Sequence, residues 1–336
     1  VLFMIVLRPL AKAVGLVDQP GGHKSHIGEV PVIGGVAMFV GFLVGYAMMP
    51  VIPDGFGYLP IAVGLLVAVG LLDDKFALPT ASRFLAQILA VMIMVYGGGL
   101  VMRDIGNPLW FGTIHLGPLS LMITILITLS VINAFNLIDG VDGLAGSLAV
   151  TTLAALAVVA IPFPLAWFAV LTAACVLGYL VFNLPLGINR MVRSFMGDAG
   201  STALGFLVVW LTISACQGPE RLISPVIGLW FAALPIYDLF TCFVRRILKR
   251  KSPLQSGRDH IHHTLRRGGF SDREILIVLA GLNLLYASNG NTGYFVEAHE
   301  SLLLTIWAFA GMSQYRIAKK ICAIRRAYAR REAVRA

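Results

Sequence analysis

The chain has 336 residues, 58% of them hydrophobic and only 13% charged, with a mean hydropathy of +0.83. A soluble domain carries about 25% charged residues, and 26 Lys and Arg with 17 Asp and Glu are too few to cover a water-exposed globule of this size. Despite a net charge of +9, this excludes disorder, a nucleic-acid-binding domain and most cytosolic enzymes, and predicts an all-α polytopic integral membrane helix bundle.

The first apolar run, Val1–Leu7, is too short for about 30 Å of hydrocarbon, so we expect the first helix to begin before Val1. Further apolar runs follow at Val32–Met49, Leu59–Leu72, Phe84–Val101, Leu116–Ile132, Leu144–Ile161, Leu165–Phe182, Ala203–Ala215, Ser224–Val244, Ile275–Ala287 and Leu302–Met312. With the clipped first segment they predict eleven transmembrane helices. None alternates with period two, as barrel strands do. The four cysteines form no CxxC pair and read as small core hydrophobes.

Orientation follows from the basic residues, which collect in cytoplasmic loops. The loops after odd-numbered spans, with the tail, hold 24 of the 26 Lys and Arg: nine lie between Arg245 and Glu274 and eight from Arg316 onward. The opposite face has only Arg103 and Arg221. The C-terminus is therefore expected inside. One transmembrane domain should cover 1–315, with a cytoplasmic loop at 245–274 and a basic tail at 316–336. Orientation and attraction to anionic lipid are enough to explain the tail.

The unusual polar residues cluster at the ends of these runs, on the basic face. Asp73-Asp74-Lys75 closes an apolar run. Adjacent carboxylates there call for a cation, a metal or a proton, unless the loop is exposed and Lys75 is their partner. In Asn133-Ala-Phe-Asn136-Leu-Ile-Asp139-Gly-Val-Asp142-Gly, oxygen-bearing side chains recur every three residues with no cation in the loop. On a helix each step of three drifts about 60°, so neighbours share a face while the first and last do not. A metal or polar-ligand site is favoured here over capping. Asn183 precedes Phe195-Met-Gly-Asp198-Ala-Gly-Ser, where Asp198 reads as a carboxylate at a helix N-terminus. Arg258-Asp-His260-Ile-His262-His263 lies in the most basic loop and suits phosphate oxygens better than a metal. His23-Lys24-Ser-His26 belongs to a Gly/Pro-rich loop. Acids suited to Mg²⁺ and cations suited to phosphate thus share one face. They point to a metal–phosphate reaction beside the membrane, with a lipid as one reactant.

At these residues the chain resembles the polyprenyl-phosphate N-acetylhexosamine-1-phosphate transferases, from about Gly15 to about Ile275. Asp73-Asp74, Asn-Ala-Phe-Asn-Leu-Ile-Asp-Gly-Val-Asp-Gly, Phe-Met-Gly-Asp-Ala-Gly-Ser and His-Ile-His-His carry the resemblance. The histidines and the preceding Ser252-Pro253 look most like the branch that uses UDP-N-acetylglucosamine and undecaprenyl phosphate. The peptidoglycan branch has Thr-Pro-Thr-Met where this chain reads Val-Pro-Val-Ile.

The resemblance implies Mg²⁺ (or Mn²⁺), a cytoplasmic active site in a bacterial inner membrane, a homodimer in many members, and the first step of a lipid-linked surface glycan such as O-antigen. It makes Asp198 the principal metal ligand, with Asp139 and Asp142 linked to metal and nucleotide. Asp73 and Asp74 become base or lipid-phosphate partners. His260, His262, His263 and Arg258 contact sugar and pyrophosphate, and Lys24 and His26 lie near the lipid phosphate. Arg83 stands where many relatives have Lys, and the two are not equivalent at a phosphate. Asn133, Asn136 and Asn183 join as substrate-binding candidates.

Three rivals share some of these features. A transporter or lipid flippase shares the hydropathy, but such folds place polar groups at the midplane of repeated halves. A sibling transferase would use another UDP-N-acetylhexosamine. A CDP-alcohol phosphotransferase would continue Asp-Gly-x-x-Ala-Arg, which is absent after Asp142. The loop Ser288–Glu300 reads as a plain polar turn without chemistry.

Overall fold

A computed structural model describes residues 1–18, 29–185, 193–250 and 259–335. These form α1 (Leu2–Ala13), α2 (Gly34–Ala47), α3 (Leu59–Phe76), α4 (Thr80–Met92), α5 (Ser120–Ile138), α6 (Leu144–Val159), α7 (Pro164–Asn183), α8 (Gly197–Gln217), α9 (Pro225–Phe231), α10 (Ala233–Leu248), α11 (Ile261–Arg267), α12 (Asp272–Phe295) and α13 (Glu300–Arg335). One short antiparallel pair, β1 (Val17–Asp18) with β2 (Val30–Pro31), precedes α2.

The protein is an all-α, polytopic membrane bundle. Among the described residues, six helices are long and apolar enough to cross a bilayer, or seven if the bent pair α9–α10 counts as one. The apolar α2 and α6 are shorter. A single helix, α13, runs through the boundary expected at 315/316.

The middle of the bundle is α8. Its sequence is apolar on all sides, as a helix surrounded by protein must be, and fifteen of its 21 residues are buried. Lipid tails are as apolar as leucine, so helices associate here through close packing and hydrogen bonds rather than water expulsion. Small residues allow that approach: a Cβ at Gly70 of α3 would stand 2.4 Å from Ala199 Cα, and one at Gly35 of α2 only 2.3 Å from Gly200 N. Both contacts lie in the first turn of α8, fixing it against α2 and α3.

Two expectations are corrected. The run Ser224–Val244 is not one straight span, because α9 and α10 meet at 87°. Pro235 has no N–H to donate to Phe231 O four residues back. Thr152 Oγ1 donates to that released carbonyl instead, at 2.6 Å. The bend leaves Asp238, 4% exposed, inside what had read as an uninterrupted apolar run, so not every unusual polar group lies at the end of a run. Nor is Ser288–Glu300 a turn, since α12 continues to Phe295. Its polar side chains fold back onto the helix, Asn289 Nδ2 donating to Leu285 O and Thr292 Oγ1 to Ser288 O.

The end where α8 finishes is sealed by its own polar contacts. Arg221 donates to both oxygens of Asp104 at 2.7 and 2.9 Å. Asn107 N donates to Glu300 Oε2 at 2.8 Å, and Trp110 stacks on His299 with ring centroids 3.6 Å apart.

Candidate active site

At the other end, α3 and α5 finish where α8 begins. Asp73 and Asp74 are adjacent on α3, so they diverge by about 100° round its axis and acquire different partners. Asp73 turns to α4, accepting from Leu78 N at 2.7 Å and from Arg83 Nη1 at 3.2 Å. Asp74 turns to α8 and accepts from Asp198 N at 2.8 Å and Ala199 N at 3.2 Å. Neither uses Lys75 in these contacts; its Nζ lies 5.2 Å from the centre of the Phe76 ring.

Asp74 therefore supplies the N-terminal cap that had been read for Asp198, and it leaves the Asp198 side chain to the site. Gly197 is required at the junction: its φ is +71°, and a Cβ would lie 2.4 Å from Asp74 Oδ2. Asp198 Oδ1 accepts from Asn136 Nδ2 at 2.7 Å. Its Oδ2 lies 3.7 Å from Arg83 Nη1, so Arg83 bridges Asp73 and Asp198.

The three-residue spacing behaves as helical drift requires. Asn136 reaches α8, while Asn133 Nδ2 donates to Gln87 Oε1 of α4 at 2.9 Å. Asp139 and Asp142 follow in the turn between α5 and α6. Asn183 clamps that turn from beneath: its Oδ1 accepts from Gly143 N at 2.6 Å, and its Nδ2 donates to Ser194 O at 2.9 Å. Asp142 accepts a hydrogen bond from Arg193.

Desolvation and the charges of Asp142, Asp198 and Asp74 push the Asp139 carboxyl well above the ordinary carboxylate range. In this cluster of five carboxylates, Asp73, Asp74, Asp139, Asp142 and Asp198, Arg83 pairs with Asp73 and Asp198 and Arg193 with Asp142 among the described residues. Arg246 is close by, but lies 3.7 Å from a carboxylate of its own, Asp259. An oxygen-rich cluster with surplus negative charge fits a hard divalent cation.

The histidines arrive on α11. His262 approaches the Asp139–Asp142 turn, where a Cβ at Gly140 would stand 2.6 Å from its Nε2. Burial, with the neighbouring His263, His260 and Arg266, drives the His262 pKa down to about 3, so this imidazole is neutral at physiological pH. His260, 3% exposed, faces α10, and its Nδ1 lies 2.8 Å from Asp238 Oδ2. The rings of His262 and His263 are 4.2 Å apart. Lys24, His26 and Arg258 lie outside the described residues.

Between α3, α4, α5, α8 and α10 opens a cavity of about 400 Å³. Its polar part includes Asp73, Arg83, Asn136, Asp198 and Arg246, and its apolar walls include Leu66, Val69, Phe84, Leu137, Leu239 and Phe243. Sequence reasoning missed Arg193, Arg246 and Asp238 as participants. The two arginines had read only as orientation signals. Asp238 did carry a signal, since an acid inside an apolar run marks a functional site by default.

Residues 56–216 match the model of glycosyl transferase family 4. The chain is 35% identical over 321 residues to the undecaprenyl-phosphate alpha-N-acetylglucosaminyl 1-phosphate transferase of Escherichia coli (strain K12), covering 92% of this chain and 85% of that protein. Proteins of the same name from Yersinia pestis and Haemophilus influenzae are 35% and 33% identical, over 91% and 88% of this chain and 86% and 85% of theirs. With that extent of similarity and these motifs in place, the chain belongs to glycosyl transferase family 4, the polyprenyl-phosphate N-acetylhexosamine-1-phosphate transferases.

Proposed function

We propose that the protein transfers N-acetylglucosamine-1-phosphate from UDP-N-acetylglucosamine to undecaprenyl phosphate, releasing UMP and giving undecaprenyl-diphosphate-N-acetylglucosamine. The observation that carries this reading is the 400 Å³ cavity, with a carboxylate and guanidinium rim over apolar walls. One end suits phosphate and the other a polyprenyl chain, and the names of the relatives give undecaprenyl phosphate and the N-acetylglucosaminyl 1-phosphate group that is transferred. We further propose eleven spans in a bacterial inner membrane, with the site and the basic tail 316–336 in the cytoplasm.

In this mechanism a lipid phosphate oxygen attacks the phosphorus nearest the sugar, and the bond from that phosphorus to the UMP oxygen breaks. The sugar–oxygen bond is untouched, so anomeric configuration is retained. A phosphate monoester is largely dianionic at neutral pH, with a second pKa of about 6, so direct attack needs no strong general base. Arg83 holds one phosphate at the cavity rim, and Arg193 keeps Asp142 facing the nucleotide. Asn136 fixes Asp198, while His262 and His263 offer hydrogen bonds to sugar and pyrophosphate. Mg²⁺ or Mn²⁺, held by Asp198 and Asp142, would screen the two anionic reactants and the charge growing on UMP.

The test is detergent-purified protein with undecaprenyl phosphate, Mg²⁺ and a panel of UDP-sugars, reading UMP and lipid product by mass. UMP should form only with lipid present, fastest from UDP-N-acetylglucosamine, and stop on chelation. Turnover with a different donor would move the protein to a sibling reaction. No UMP from any donor, with passage of tagged lipid across vesicles, would replace the reading with a flippase.

A further inference from the structure

The histidine helix is anchored by a residue outside every motif. Asp238 lies in the second turn of α10, 4% exposed, and faces the start of α11. Its Oδ1 accepts from Ile261 N at 2.7 Å, and its Oδ2 lies 2.8 Å from His260 Nδ1. Cys242 Sγ, one turn further along α10, is 3.5 Å from the same nitrogen. Asp238, Cys242 and His260 bring their ligand atoms within 4.8 Å of one another, but the spacing is that of a hydrogen bond. Two tetrahedral zinc ligands would stand about 3.4 Å apart. An ionised carboxylate can only accept, and one oxygen of Asp238 already accepts from a backbone N–H. The proton shared with His260 is therefore assigned to Nδ1. That leaves Nε2 as the acceptor nitrogen, buried and without a hydrogen-bond partner among the described residues. The His260 and His262 rings are nearly parallel, 8° apart, with centroids 5.9 Å apart.

We infer that Asp238 is a positioning residue for the transfer reaction: it fixes the tautomer of His260 so that Nε2 is left as the unprotonated, acceptor nitrogen, and it anchors the N-terminus of the helix that carries His262 and His263. This rests on the proposed function. A carboxylate behind an imidazole sets which nitrogen carries the proton; behind a metal-bound imidazole the loss of such a partner typically lowers activity about 10–100-fold, and a loss of that order is expected here.

The informative variant is Asp238→Asn. Its amide oxygen can still accept from Ile261 N, while its NH₂ is a donor facing Nδ1, so the His260 proton should move to Nε2. Two readouts on the full-length protein in lipid test this. In ¹⁵N-histidine NMR, the His260 signal, identified by its loss in His260→Gln, should show a protonated Nδ1 in the parent and a protonated Nε2 in Asp238→Asn. In the UMP assay, Asp238→Asn should lower kcat at least tenfold, but less than twofold when added to His260→Ala, because the residue acts through that imidazole. An unchanged tautomer, a kcat within twofold of the parent, or a loss that multiplies fully in the His260→Ala background would overturn the inference. If the parent releases no UMP, the proposed function falls, and the NMR signal still decides the pairing.

Discussion

At the end where α8 finishes, Asp104 is buried but takes two hydrogen bonds from Arg221 and one from Gly106 N. Burial pushes its pKa up, yet Arg221, the Gly106 N–H and His115 together more than offset this and hold the carboxyl below its ordinary value. At the end where α8 begins, Asp139 shares its surroundings with three more carboxylates and is pushed the opposite way. One residue type in one bundle is thus paired with its own cation at one end and crowded by like charges at the end that holds the candidate site. The difference separates stability from function more sharply than burial does.

Four measurements sharpen or break that comparison. The largest effect is expected for Asp198→Asn, which should lower kcat about 10³-fold while leaving the thermal midpoint unchanged or higher, since it removes charge from a like-charged cluster. Near-normal turnover in the UMP assay would remove Asp198 from its assigned role. Arg221→Ala should do the reverse. It strands buried Asp104, costs about 2 kcal/mol of stability by thermal unfolding, and keeps kcat within twofold.

The third measurement follows a smaller, pH-dependent effect. Because His262 has a depressed folded pKa of about 3, its unfolded form binds the proton more readily. Its contribution is intact above the unfolded value near 6.5 and lost as pH falls below it. His262→Gln should therefore flatten the acid side of a melting-point series, by about 1 kcal/mol at pH 6 and about 2 at pH 5. An unaltered slope would mean that the imidazole is open to water. The smallest effect is expected for Arg325→Ala. It breaks the half-exposed pair with Glu274 and should leave the thermal midpoint nearly unchanged, since solvent screens such a pair, with no change in turnover.

How much was legible beforehand depended on whether the signal was local. Two adjacent acids ending an apolar run are visible in the chain, and so is a three-residue ladder of Asn and Asp. Division of labour was not visible: Asp73 and Asp74 differ only in the helix each one faces, and Lys75, their nearest cation in sequence, joins neither in the contacts described. Asn183 looked like a ligand residue but spends both ends of its amide on backbone groups, which only the fold could show. Pro235 hid a right-angled bend inside an apolar run because hydropathy does not register a missing N–H. Asn289 and Thr292 looked like a turn because their composition conceals bonds made back to their own helix.

The Asp74 cap has a consequence for how phosphate can be recognised. A helix N-terminus aimed at a binding site is ordinarily a ready-made anion hole, with free N–H groups and roughly half a positive charge. Here that hole is plugged by the chain's own carboxylate, which takes the N–H groups of Asp198 and Ala199, and a second carboxylate stands on the same turn. The polarity of the α8 terminus is inverted, from an attractor of anions to an attractor of cations. With those two N–H groups taken, the turn offers a phosphate less than a free helix N-terminus does, and recognition shifts toward side-chain guanidiniums, imidazoles or an ion brought with it.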